Sequence, residues 1–195
     1  NSQSNVAADN DVMLPKIELS YDMKMSAFAI GGYLGYQTYD EGPSDDQQSV
    51  DAYVLGVRSK INMGPAYINV NLALAQNPGD YSGSLHSVNS FATAHDGEED
   101  ATQIRAALVV GAKVGSAVQL EGGVGMLLNE RTTEAGADEE GDAMQYYVQA
   151  VITLAKGVFI VPEISIVDLG ENDTDGTAVE NGQITAFGAK FQINF

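Results

Sequence analysis

Residues 183–195 read QITAFGAKFQINF. In an extended chain Phe187, Ala189, Phe191, Ile193 and Phe195 fall on one side, and Ala186, Gly188, Lys190, Gln192 and Asn194 on the other. Strand side chains alternate between faces, so this is an amphipathic strand with one apolar face and one small, wettable face. A soluble strand hides its apolar face in a core. A strand of a membrane barrel turns that face to lipid and the other toward a water-filled lumen.

Eight further segments alternate in the same way. Lys16–Met23 carries Ile17, Leu19, Tyr21 and Met23 on one face; Ala27–Thr38 carries Phe28, Ile30, Leu34 and Tyr36. Val50–Ile61, Ala66–Gln76 and Thr102–Val114 present Leu55 and Val57, Val70 and Leu72, and Ile104, Leu108 and Val110. Ala117–Asn129, Met144–Ala155 and Val158–Leu169 continue the pattern with Leu120 and Val124, Tyr146 and Val148, and Ile160 and Ile164. The opposite faces hold no second set of large apolar residues. They offer Lys16, Glu18, Asp22, Asn69, Asn71, Gln103, Gln119, Gln145 and Gln149, with glycine and alanine between. Arg58, Lys60, Arg105, Lys113, Glu121, Glu163 and Lys190 are the charged candidates for a pore lining. Their opposed charges would set a transverse field across a lumen.

The connections alternate between short and long. The short ones are Lys24–Ser26, Asn62–Pro65, Gly115–Ser116 and Lys156–Gly157; the long ones are Tyr39–Ser49, Asn77–Ala101, Glu130–Ala143 and Gly170–Gly182. Short turns on one rim and long loops on the other mark an outer-membrane barrel. Most of the 27 acids fall in residues 1–13 and the four long connections, which makes one rim anionic. Aromatic residues collect near strand ends. Tyr36, Tyr53, Tyr146 and Phe187 are expected toward the long-loop rim, and Phe28, Tyr67, Phe159 and Phe195 toward the short-turn rim, although the parity of Tyr67 and Phe159 points inward. Pro162 stands mid-strand on the apolar face, where a bulge is expected to absorb the lost donor.

Composition narrows the function. The 195 residues suffice for one domain or one barrel, and a net charge of −18 argues against nucleic acid as a partner. There is no cysteine, and no run of ~18 apolar residues that would make a membrane helix; a barrel strand needs only ~9–11 alternating residues. The chain does not begin with methionine, so Asn1 is expected to be a processed end or the start of a fragment.

The sequence resembles the C-terminal part of a Gram-negative outer-membrane porin of the general-diffusion type found in anaerobic proteobacteria. The resembling pieces are LPKIELSYDMKMSAF (14–28), GYQTYD (35–40), VDAYVLGVRSKINMGPAYINVNLALAQNPGDY (50–81), YYVQAVITLAKGVFIVPEI (146–164) and AFGAKFQINF (186–195). The resemblance implies an all-β, antiparallel up-and-down transmembrane barrel and passive diffusion of small hydrophilic solutes and ions. It also implies that Phe187, Phe191, Ile193 and Phe195 form the signal read by the barrel-insertion machinery. Outer-membrane lipid and lipopolysaccharide would surround the barrel, and a homotrimer is a candidate assembly. The family's inward-folded constriction loop is matched by no residue here. Nine strands place the first and last on the same heading. Single-chain bacterial barrels have an even count, so the chain is expected to be part of a barrel of ~16–18 strands. Residues 1–13 then read as the remnant of an external loop, and 1–195 as one barrel domain with strands from residue 16 onward.

Other chemistry is poorly supported. His86 and His95 lie in one long connection, and no nucleophile motif surrounds a serine, so no catalytic residue is assigned. In ENDTDG, Glu171, Asp173 and Asp175 alternate before Gly176, like the first half of an oxygen-ligand loop, but position twelve is Gly182 and not an acid. A solvated acidic turn is the plainer reading, and weak binding of Ca2+ or Mg2+ shared with lipopolysaccharide is the functional one. Two further readings are a small closed structural or adhesive barrel and a soluble β-sandwich binding module with acidic loops.

Nine apolar stripes with no second apolar layer to cover them predict dependence on detergent or lipid. Membrane fractionation with circular dichroism should show a strand-rich protein that stays with the membrane. A monodisperse, detergent-free monomer would contradict the barrel.

Overall fold

The computed structural model describes residues 15–41, 48–78, 100–133 and 135–194. These residues form one antiparallel sheet. Its elements are β1 (Ile17–Lys24), β2 (Phe28–Glu41), β3 (Gln48–Met63), β4 (Ala66–Gln76), β5 (Ala101–Val114), β6 (Val118–Thr132), β7 (Asp138–Ala155), β8 (Val158–Asp168), β9 (Glu171–Thr174), β10 (Thr177–Glu180) and β11 (Gln183–Ile193). The sheet runs β1-β2-β3-β4-β5-β6-β7-β8-β11, with β9 paired to β7 and β10 to β9. The meander is therefore nine strands wide, as the alternation indicates. β9 and β10 prolong β8 and β11: Thr177↔Thr174 and Gln183↔Asp168 keep one register along a single tall hairpin. No helix among the described residues is long and apolar enough to cross a membrane.

The tall hairpin corrects the expected loop over Gly170–Gly182. Its tip is Asp175–Gly176, with φ of 52° and 76°. Two consecutive left-handed residues make the type I′ turn, whose twist matches that of the flanking strands and which Asp-Gly favours. Below the tip Gly170 takes φ +62°, and a Cβ there would lie 2.1 Å from the Asp142 carbonyl oxygen. Only glycine fits where β8 hands over to β9. The expected loop over Glu130–Ala143 is likewise mostly strand, since β6 reaches Thr132 and β7 starts at Asp138. Its polar cross-strand pairs, Arg131↔Glu139 and Thr132↔Asp138, carry no apolar stripe by which to read it. The short turns fall where expected. Gly64, at φ +65°, opens the two-residue link to β4, as a type II′ turn requires.

Pro162 does not sit at a bulge. It faces outward and pairs with Ala189 of β11, while on its other side the β7 ladder lacks pairs at Ala150 and Val151 and resumes unshifted at Ile152↔Ile160. A missing donor removes ladder bonds on one side only, and no extra residue is needed to accommodate it. The irregularity lies instead between Thr153 and Ala155, near the turn.

The two faces are inverted relative to a soluble sheet. Leu34, Leu55, Leu74, Ile104 and Leu128 align across β2–β6 through direct pairing, and all are exposed, Leu55 at 58%. The buried side chains belong to the polar face: Val50, Ala52, Val54, Ala73, Ala75, Ala101, Gln103, Leu127, Asn129 and Ala143. These cluster toward the long-connection end of the strands, whereas Val161 is buried on the same face of β8 nearer the short turn. Gln103 is 1% exposed, whereas Arg58 and Lys60, nearer the short turns, are exposed. Tyr36 and Tyr53 pair directly on the apolar face, as a girdle requires. Tyr67 does not join them, because its register with Gly111 puts it on the polar face. Phe159 pairs with Gln192 and shares that face.

Leu108 stands mid-strand on the apolar face between Val70 and Val124. Arginine at the bilayer midplane costs ~2–4 kcal/mol, so Leu108→Arg should destabilise the fold by that order in a lipid refolding titration. Arg105→Leu, on the other face, should cost less. Equal or reversed costs would invert the assignment of faces.

Candidate functional site

The polar face presents its side chains in rows set by strand register. One row runs Asp22, Gly31, Arg58, Asn71, Ala107, Gly125 and Gln145 across β1–β7. The next, toward the short turns, runs Lys24, Ala29, Lys60, Asn69, Val109, Gly123 and Tyr147. A third runs Asn62, Tyr67, Gly111, Glu121, Gln149, Glu163 and Gly188. Small residues separate the polar ones, so the wall stays shallow while it carries charge.

Three tyrosines use that space alike. Each lies over a glycine directly opposite it on the next strand: Tyr33 on Gly56, Tyr67 on Gly111 and Tyr147 on Gly123. A Cβ on those glycines would come within 2.1–2.4 Å of the ring. A ring laid on a glycine covers exposed backbone and stitches two strands without projecting far from the wall. The phenol ends then reach polar partners. Tyr33 donates to Asn71 Oδ1 at 3.0 Å. Tyr67 and Tyr147 converge on Glu121, Tyr67 donating to Oε2 and Tyr147 to Oε1 at 2.7 Å. Gln149 also donates to Oε1 at 2.6 Å, and Gln119 donates to the Tyr67 hydroxyl at 3.3 Å. Glu121 therefore anchors a network spanning β4, β6 and β7. Lys60 places its Nζ 4.7 Å from the Tyr67 ring centroid, a cation–π contact.

Of the charged residues read as a lining, Arg58 and Lys60 stand two apart on β3 and border one recess of about 320 Å3 with Asp22, Asn69 and Asn71. Arg58 grips Asp22 through two bonds, Nε–Oδ1 at 2.9 Å and Nη2–Oδ2 at 2.6 Å. The planar fork fixes the guanidinium, which also lies 5.9 Å from the Tyr33 centroid. Arg105 sits where the wall becomes packed, and its Nε donates to Gln103 Oε1; Gln103 in turn donates to Asn129 at 2.7 Å. Glu163 and Lys190 border a separate recess on β8 and β11 with Gln149. Lys113 lies on the polar face of β5, exposed near the turn to β6. The lining candidates thus share a face but not a single site. Parity could have added Tyr33 and Tyr147 to the reading: in Tyr146–Tyr147 only one ring can face outward, and each inward ring has a glycine on the next strand.

Phe187, Phe191 and Ile193 lie exposed on the apolar face of β11, and Phe195 falls outside the described residues. His86, His95, Asp45, Asp46, Glu98 and Glu99 also fall outside them. Glu171 and Asp173 lie in β9, not in a loop, and Asp175 is in its turn; among the described residues no three acids or histidines are grouped to hold a metal ion. The acidic rim is partly neutralised, since Arg131 donates to Glu139 at 2.7 Å. Asn77, at φ +45°, ties the ends of the longest connection. Its side chain donates to the Asp51 carbonyl at 3.0 Å and to Asp100 at 2.6 Å, and accepts from the Ala101 amide at 2.9 Å.

The ring-on-glycine arrangement predicts energetic coupling. Gly111→Ala should push Tyr67 off Glu121 and cost about 1–2 kcal/mol, in the range for a lost hydrogen bond and cross-strand pair. In a Tyr67→Ser background the same change should cost about 1 kcal/mol less. Strict additivity in the double-mutant cycle, followed by refolding, would show that the ring does not rest on the glycine.

No known protein family matches the sequence, and no curated protein matches it. A solved structure does match: the crystal structure of the outer membrane channel DcaP of Acinetobacter baumannii. The two superpose with a TM-score of 0.64 at 14% identity, over 96% of this chain and 54% of that one. The chain spans about half the length of that channel, and what the two share is the fold, an antiparallel up-and-down sheet of the outer-membrane channel kind.

Proposed function

We propose that this chain forms wall of an outer-membrane channel through which small hydrophilic solutes and ions diffuse passively. The observation that carries the reading is the inversion of faces: large apolar side chains stand exposed while Gln103, Asn129 and Asn77 are buried. Hydrocarbon against the apolar face accounts for such a surface. The likeness to an outer membrane channel supports it. On this reading the apolar face meets outer-membrane lipid in a Gram-negative cell and the external strand ends meet lipopolysaccharide, where Ca2+ or Mg2+ would bridge acids and headgroups. The terminal strand addresses the chain to the barrel-insertion machinery, and a homotrimer is the assembly to test. Catalysis has no place in the proposal.

The wall offers a solute bases and acids on different strands. Arg58 and Lys60 stand on β3, Glu121 and Glu163 on β6 and β8. A solute passing between them would be oriented by that field. A closed structural barrel is the second reading, favoured by the packing of Ala52, Ala75, Ala101 and Gln103 at the long-connection end. Conductance distinguishes the two.

The acids at the external ends should raise the local concentration of cations, while the bases deeper in oppose them. Glu140, Asp173 and Asp175 are such acids among the described residues. The assembled barrel in a planar bilayer should therefore show a cation preference in its reversal potential at low salt. The preference should fade toward 1 M, where the Debye length is ~3 Å. A preference that is absent at low salt or grows with salt would contradict the mechanism, and no conductance at all would favour the closed barrel.

A further inference from the structure

We infer that the recess between β8 and β11 binds a zwitterion, a small α-amino acid, with its ammonium held by Glu163, Gln149 and Ser165 and its carboxylate by Lys190. The inference rests on the channel reading above and adds to it a solute class and the groups that recognise it.

Register puts these groups on one face. On β8, Val161, Glu163 and Ser165 stand at alternate positions of the polar face; opposite them on β11 stand Lys190, Gly188 and Ala186. Glu163 and Lys190 are therefore diagonal neighbours, with Cα atoms ~7–8 Å apart, a spacing that long side chains of opposite charge can bridge. They do not bridge it: among the described residues no ion pair joins them. Both are exposed, and both border one recess of about 400 Å3. The space between them is open. Gly188 lies directly opposite Glu163, and a Cβ there would meet nothing within 4 Å. At Gly56, Gly111 and Gly123 the same space is taken by a tyrosine ring. Arg58 and Asp22 differ too, since they already satisfy each other through two bonds.

Donors and acceptors sort by side. Gln149 of β7 pairs directly with Glu163. Its Nε2 donates to Glu121 Oε1 at 2.6 Å, so Oε1 is the end left to accept beside Glu163. Ser165, one row on, adds a hydroxyl oxygen. An ammonium has three N–H donors and no acceptor, and a carboxylate, an amide oxygen and a hydroxyl oxygen match them. Lys190 on β11 offers the reverse, a cation with donors only. A ligand with one charge would answer only one of the two residues; an α-amino acid carries both charges, on adjacent carbons. Val161, 7% exposed, and Ala186 give it an apolar floor, so a small apolar amino acid fits better than an acidic or basic one. Such a solute is neutral overall. Acids at the external strand ends neither concentrate nor exclude it, and a local pair of opposite charges is what can select it.

The test is a titration of the full chain, isotope-labelled and folded in detergent, with L-alanine, and with propionate and ethylammonium as probes that carry one charge each. L-Alanine should give saturable NMR shifts at the amides of Ser165, Gly188 and Lys190. Each single-charge probe should bind at least ~10-fold more weakly, the loss expected for one hydrogen bond to a charged group. Glu163→Gln and Lys190→Gln should each weaken L-alanine by a similar factor. Glu163→Lys combined with Lys190→Glu should recover part of the binding that either reversal alone removes, because a zwitterion can turn round; damage to the fold would not be rescued in this way. Propionate or ethylammonium binding as well as L-alanine would show a simple charged patch, and a strand-dispersed spectrum that L-alanine does not move would show no site; either overturns the inference and leaves the channel reading standing. The expected binding pattern in a chain that stays monomeric without detergent would keep the site and remove the channel reading.

Discussion

In hydrocarbon no water is present to bond a backbone amide or carbonyl, so every such group must find its partner inside the protein. On the proposed channel reading, the rest of this structure follows from that constraint. It demands a continuous ladder, and the nine strands supply one from β1 to β11 through consecutive antiparallel neighbours. It limits the places where the ladder can lapse. Pro162 removes pairs on one side only, and Gly170 lets one strand step past Asp142 without breaking the next ladder. It also assigns the side chains, because a paired backbone leaves two faces and only one of them can be apolar without a second layer to cover it.

The polar face solves a different problem, that of being hydrated without losing rigidity. On the proposed channel reading this face is a lumen wall, which cannot be held by a packed core and which large side chains would fill. The tyrosines on Gly56, Gly111 and Gly123 hold adjacent strands with rings that lie along the wall, and Glu121 collects two of their hydroxyls. Arg58 is held by Asp22 from β1. Charges at these positions are fixed by neighbours on other strands, so the field they create is a property of the sheet and not of mobile side chains.

Much of this was legible in the sequence. The period-two stripes from Ile17 to Ile193 gave the strands and which face is apolar, because alternation is imposed by the backbone itself. The short turns were legible from Gly64, Gly115 and Gly157, which all take positive φ. The tall hairpin is not legible because Glu171–Glu180 has no apolar stripe, although Asp175–Gly176 is a strong hairpin signal. The ends of β6 and β7 near Arg131 and Glu139 are hidden for the same reason: strands held by polar cross-strand pairs outside the apolar band look like loops. The wall could be listed by parity, but its groupings could not. That Tyr67 and Tyr147 meet at Glu121 depends on strand register, which a single strand's pattern does not contain.

The claim on which everything rests is that the apolar face meets lipid and the polar face does not. Nitroxide labels placed one at a time on engineered cysteines at residues 104–111 of β5, in bilayers, test it most directly. The account predicts a two-residue oscillation in collision rates. Ile104, Ala106, Leu108 and Val110 should be accessible to oxygen and shielded from a water-soluble nickel chelate, and Arg105, Ala107, Val109 and Gly111 should be out of phase. The same oscillation with reversed phase, or no oscillation, would contradict it.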